Sequence, residues 1–194
     1  MKQSKSLLLL GLLASTLVVG CQTASNTITF ATPSPSAVFN THNQTAMVNV
    51  MTQDLRPSKT VASYTQMGKL QPLTVVPEVA QLFQQVMQQN LNSKGFPVVQ
   101  GAANANVVVN IKQFSADVEQ GNLRYKVTAN VNVEVVVQGA RGTVSKNFTT
   151  SRAYEGAFGA NHDEIQKVLG EAYSAAVLAI YHDNEISQAI HHVK

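Results

Sequence analysis

The chain has 194 residues, one cysteine, and 14 Lys and Arg against 11 Asp and Glu, a formal charge of +3. Lys2 and Lys5 precede an apolar run over residues 7–19, and without them the balance is 12 basic side chains against 11 acidic. That near-neutrality excludes a nucleic-acid binder working through concentrated positive charge, and a lone cysteine excludes an internal disulfide framework.

In chain order, Lys2 and Lys5, the apolar run and the small Gly20 have the layout of a secretory signal peptide. The run is too short for a transmembrane helix and no stop-transfer charges follow it. Cys21 directly after Gly20 makes this a bacterial lipoprotein signal, with Cys21 as the lipidated N-terminus after cleavage of residues 1–20. Gln22 stands where an aspartate commonly retains lipoproteins in the inner membrane, so the expected location is the outer membrane, with the domain facing the periplasm. Residues 21–45 carry Pro33 and Pro35 among Ser, Thr, Asn and Ala, and read as a flexible tether with a root-mean-square reach of about 25 to 30 Å. Residues 27–30 are the exception and suit a short edge strand.

A single domain is predicted over residues 46–194. Ala46, Val48 and Val50 alternate with Met47, Asn49 and Met51, the pattern of a strand. Residues 54–57 break it, and residues 61–64 form a weaker strand. Pro77 suits a first helical position, and Val79, Leu82, Phe83, Val86, Met87 and Leu91 follow at helical spacing up to Gly95, a natural left-handed stop.

Three strands come next. Val107, Val109 and Ile111 alternate with Val108, Asn110 and Lys112, and Tyr125 to Val137 alternate without a break against mostly polar neighbours, which means one dry face and one wet face. A two-residue type II′ turn at Gly121 and Asn122 would pair Val118 with Tyr125, Ala116 with Val127 and Phe114 with Ala129. Unbroken, that register turns Lys112 and Asn110 inward, so a β-bulge is expected at Lys112 and Gln113, restoring Ile111 to Val131, Val109 to Val133 and Val107 to Val135. A third strand starts near Val144 and runs towards Tyr154.

Asn161 with Glu164 three residues on is close to a capping box and opens the last long helix, whose stripe is Ile165, Val168, Leu169, Ala172, Ala176 and Ile180. Asp183 caps a final short helix. The order β-α-β-β-β-α predicts an α+β fold, an antiparallel sheet with an early and a late helix packed on one face.

The lipobox, the helix end Leu91, Lys94, Gly95 and Phe96, the turn over residues 119–125 and the Glu155-Gly156-Ala157-Phe158 segment together resemble the YajG-like family of bacterial lipoproteins. The resemblance spans about residues 48–190. It implies an outer-membrane lipoprotein with an α+β periplasmic domain, and it implies no activity and no catalytic residues.

The candidate chemistry is weak. His182, His191 and His192 lack a thiol or carboxylate cage to complete a metal site, and Asp163 with Glu164 suit a helix start better than an acid–base pair. No serine sits in a nucleophile elbow, and Ser145 with Lys146 on a strand is a poor substitute. No cofactor or metal is expected. Leu123 and Arg124 at the hairpin tip and Phe158 between glycines are the candidate contact residues. The favoured reading is structural at both places: Tyr125 packs at the sheet end while Arg124 pairs with Asp117 or Glu119 across the hairpin, and Phe158 plugs the end of the core. The expected function is non-enzymatic: a lipid-anchored domain binding an envelope protein or cell-wall component. The alternative is an enzyme or small-ligand carrier acting on envelope polymers.

Overall fold

The computed structural model describes residues 26–194; Cys21 and the signal segment lie outside the described residues. In chain order the elements are β1 (Thr27–Ile28), a 3-10 turn (Thr41–Thr45), β2 (Val48–Asp54), β3 (Ala62–Gln66), β4 (Lys69–Val75), α1 (Val79–Lys94), β5 (Val98–Val99), β6 (Ala105–Gln120), β7 (Arg124–Gly139), β8 (Gly142–Ala157), α2 (His162–His182) and α3 (Glu185–Val193).

The long β6, β7 and β8 form an antiparallel meander, and at 16 residues each they span about 50 Å. Every odd-numbered side chain from Tyr125 to Val137 is 2% exposed or less, so the alternation in β7 gives the predicted dry face. That face is covered by the apolar stripes of all three helices. The fold is α+β, with an early and a late helix on one face of the sheet, as the element order indicates. To the meander the structure adds a parallel edge: β2 runs beside β6 from Val48 opposite Ala105 to Asp54 opposite Ile111, with β5 on its outer side. Parallel neighbours need a crossover connection, and α1 supplies it. A second, three-stranded sheet in the order β1-β4-β3 docks on the far half of β6, where the Ala116 N–H donates to the Val61 carbonyl at 2.7 Å.

The bulge falls where expected, between Ile111 and Gln113. The register around it differs by two residues: Gln120 pairs with Tyr125, Val118 with Val127, Ile111 with Val133 and Val107 with Val137. The reason is the turn. Its central residues are Asn122 and Leu123, neither at positive φ, flanked by a Gly121 N–H to Arg124 carbonyl bond of 2.8 Å, so the type II′ turn one residue earlier does not form. Helix α1 begins at Val79, two residues after Pro77, and ends on Gly95 at φ 100° as predicted. Asn161 and Glu164 make the full capping box of α2, and the Asp183 carboxylate accepts the Ile186 N–H at 2.9 Å to cap α3.

The tether expected over residues 21–45 is packed on the domain from Asn26 onward. Ile28 is fully buried in β1, and Phe30 enters an aromatic cluster with ring centroids 5.4 Å from Tyr173 and 5.7 Å from Phe114. Farther along, Thr32 bonds the Tyr173 hydroxyl at 2.8 Å, the Pro33 carbonyl accepts from Tyr181 at 3.0 Å, and Asn43 is buried with its Nδ2 on the Lys94 carbonyl. The segment is polar in composition, yet fixed partners more than 50 residues away offset its chain entropy.

Candidate contact site

The end of the meander holds the residues singled out by sequence. The Asn122–Leu123 turn leaves the Leu123 side chain 74% exposed, and Arg124 is exposed without a side-chain hydrogen bond or ion pair among the described residues. The expected pairing of Arg124 with Asp117 or Glu119 is not made; Glu119 lies opposite Lys126 in the ladder instead. Phe158 is 80% exposed and does not plug the core. The core end is closed by Tyr125, 2% exposed, so no vacancy is left for a second ring.

Leu123, Arg124 and Phe158 belong to one surface because β7 and β8 end together, with Arg124 opposite Ala157. The Phe158 N–H donates to the Leu123 carbonyl at 3.0 Å. Gln120, which sequence reasoning did not single out, clamps the two loops. Its Nε2 donates to the Phe158 carbonyl at 2.6 Å and the Gly121 carbonyl at 3.0 Å, and its Oε1 accepts the Ala160 N–H at 3.3 Å. Phe158 itself sits at φ 73°, a conformation that is an outlier for a bulky side chain and costs on the order of 1 kcal/mol or more. The clamp holds an apolar ring out in solvent at that cost, the reverse of what burial would do.

Beneath the tip, burial and then the nearby Glu164 carboxylate push the Tyr125 phenol up to about 12, so it is neutral at any physiological pH. Among the described residues its hydroxyl is buried with no partner at hydrogen-bond distance. Tyr154 is half exposed, with its ring 6.3 Å from Tyr125 and Lys167 Nζ 5.7 Å above its face.

The sheet face away from the helices carries Lys126, Asn130, Asn132 and Glu134, with an apolar patch of Met51, Val108 and Val136 across neighbouring strands. Glu134 accepts from Lys112 at 2.9 Å and Asn110 at 3.1 Å, and these bonds hold its carboxyl below the usual carboxylate range. Asn110 Oδ1 and Asn132 Oδ1 are left without a partner on this face.

The remaining candidates are structural. Among the described residues no group of three or more His, Cys, Asp and Glu is arranged to hold a metal. His191 stacks on His42 at 4.5 Å and bonds Asn43 at 2.8 Å, whereas His182 and His192 are exposed. Asp163 pairs with His162, and Glu164 completes the helix cap. Lys146 is ion-paired with Asp183 and with Glu185, which occupies the ammonium beside Ser145. A groove of about 690 Å³ between residues 29–31 and α2, lined by Phe30, Arg152, Lys167, Glu171 and Tyr173, is open to solvent. No described helix is long and apolar enough to cross a membrane.

Known proteins agree with this fold. The Escherichia coli K12 protein named Uncharacterized lipoprotein YajG is 25% identical over 188 residues, covering 94% of this chain and 95% of that protein. The crystal structure of protein XCC0632 from Xanthomonas campestris superposes with a TM-score of 0.55 at 10% identity, covering 84% of this chain and 97% of that one, a likeness of fold alone. The sequence profile of a family described as Uncharacterized lipoprotein matches residues 33–191, and the chain belongs to that lipoprotein family.

Proposed function

We propose that the protein is a non-enzymatic, lipid-anchored domain of the outer membrane's periplasmic side that works by contact, binding an envelope protein or cell-wall component. The lipid is carried on Cys21. Leu123, Arg124 and Phe158 form the contact tip, flanked by the polar sheet face. The observation that carries this reading is the Phe158 loop. An aromatic ring at positive φ, 80% exposed and clamped by Gln120 beside the exposed Leu123 and an unpaired Arg124, has no role in packing. Exposed aromatic, aliphatic and Arg anchors on rigid loops are what interface hot spots are made of. Against the carrier alternative stands the groove beside α2, which is open to solvent where a small ligand would be held in an enclosed, mostly apolar pocket.

The test is in-cell crosslinking of the Leu123→Ala, Arg124→Ala double variant. A true hot spot contributes at least ~2 kcal/mol, about a thirtyfold change in affinity, so crosslinked product falls sharply while the melting temperature barely moves. Crosslinking at wild-type levels, or simple unfolding, makes this tip structural and refutes the assignment.

A further inference from the structure

The contact tip and the lipid anchor lie at the same end of the molecule. Five residues separate Cys21 from Asn26, a reach of about 17 Å even when fully extended. Where Asn26 and Thr27 sit is fixed from two sides. The Thr27 carbonyl is 3.1 Å from His162 Nε2, and His162 follows Phe158 by four residues, at most about 14 Å of chain. On the other side Asn26 Nδ2 is 3.5 Å from Gln71 Oε1, and Gln71 follows Met67 by four residues, again at most about 14 Å.

Met67 is the tip of the β3–β4 hairpin, 96% exposed at φ 50° beside Gly68 at φ 73°. Leu70 on the same hairpin is 69% exposed. The chain thus enters the fold between two protruding loops, one tipped by Met67 and the other carrying Phe158 hydrogen-bonded to Leu123. These four side chains are apolar and exposed, two on the β3–β4 hairpin and two on the paired loops at the end of the meander.

We infer that this end of the domain, Met67, Leu70, Leu123 and Phe158 with Arg124 among them, rests on the phospholipid leaflet that holds the Cys21 anchor. The inference depends on the lipid anchor and exposed tip proposed above; where it holds, the tip meets the leaflet and the flanking polar sheet face is left to the envelope partner. The occupant follows from chain length: a lipid five residues before Asn26 keeps the point where the chain enters the fold within about 17 Å of the headgroups, with the tip loops at most about 14 Å of chain from the residues that touch it, and the interfacial layer of a bilayer leaflet is itself about 6 Å deep. Side chains of this type partition into that layer, aromatic rings at its edge and aliphatic ones below. Arg124, without an acidic partner, faces anionic headgroups.

The opposite end supplies the control. Val38, 89% exposed, precedes Asn40, whose N–H donates to the Lys94 carbonyl at the C-terminus of α1. That region adjoins the starts of β2 and β6, about 50 Å of strand away from the tip. The domain accordingly stands on the leaflet with its strands pointing outward and its polar sheet face turned sideways.

The chain has no tryptophan, so a single one reports its own surroundings. The experiment uses the full lipidated mature chain in phosphatidylethanolamine–phosphatidylglycerol vesicles with brominated acyl chains. Phe158→Trp, and independently Leu123→Trp in case the first perturbs its loop, is expected to give blue-shifted emission quenched at least about twofold by the brominated lipid; Val38→Trp is expected to stay red and unquenched. Water-like, unquenched emission at both 158 and 123 overturns the inference, as does equal quenching at position 38. If the tip is unquenched yet crosslinks to a protein in cells, only the membrane assignment falls; if it does neither, the contact reading falls with it.

Discussion

His191 shows how one side chain couples two distant segments. Asn43 spends its Nδ2 on the Lys94 carbonyl at 2.7 Å, so its Oδ1 accepts from His191 Nε2 at 2.8 Å and the ring proton resides there. Nδ1 is buried without a partner, and burial, then Lys194 and His42, lowers the pKa of the ring from 6.5. A base whose pKa is lower folded than unfolded takes up protons first in the unfolded state, so stability is lost as pH falls below about 6.5. The carboxylates Asp54 and Glu134, lowered from 3.8 and 4.5, act only at more acid pH. The melting temperature is expected to fall between pH 7 and 5, and His191→Gln, which keeps a donor for Asn43, to remove that part of the slope; an identical slope in the variant assigns the effect elsewhere. Gly156 makes a second residue-scale case. It lies opposite Tyr125, and an added methyl would overlap the phenol ring. Gly156→Ala is expected to lower stability by about 1–3 kcal/mol in urea denaturation, whereas Gly159→Ala, where an added methyl meets only the Gln120 amide, Oε1 at 3.6 Å and Nε2 at 3.9 Å, should be close to neutral.

Among the elements, β7 is the clearest. Val131 is fully buried and Asn130, one residue earlier, looks out from the other face. Val131→Asp is expected to abolish folding, since an unpaired buried carboxylate has no compensation; Asn130→Ser should shift the urea midpoint little, and equal tolerance would mean the sheet is not one-sided. The bulge at Lys112 was legible because a strand's two faces alternate strictly, and only an extra residue reconciles Phe114 and Ile111 on one face. The turn was not, because sliding a hairpin by two residues keeps every apolar side chain inward. Parity cannot distinguish Val118 opposite Tyr125 from Val118 opposite Val127; only the turn's own backbone can, and Gly121 drew the reading one residue too early. Strand β4 was hidden by Pro72, which breaks a strand pattern. The structure tolerates it because, among the described residues, β1 pairs with Thr74 and Val75 and not with Pro72. At the tip, sequence located Leu123, Arg124 and Phe158 but favoured the wrong state for Phe158. What holds the ring out is a Gln120 side chain 38 residues away, and no local pattern announces such a clamp.

For the whole molecule, the decisive feature is that residues 26–45 are packed on the domain. A polar stretch with two prolines has the composition of a tether, and the residues that fix it, Tyr173, Tyr181 and Lys94, lie far along the chain on the helices. With residues 26–45 packed on the domain, Asn26 stays within about 17 Å of Cys21; as a free tether, residues 21–45 would let the domain range over a root-mean-square reach of about 25 to 30 Å. The direct measurement is the urea midpoint of the mature chain against a version lacking residues 22–45. Removing fully buried Ile28 and the Phe30 ring from the aromatic cluster should cost at least about 3 kcal/mol, giving a much lower midpoint or loss of the cooperative transition. An unchanged midpoint would contradict the account and return residues 26–45 to the status of a tether.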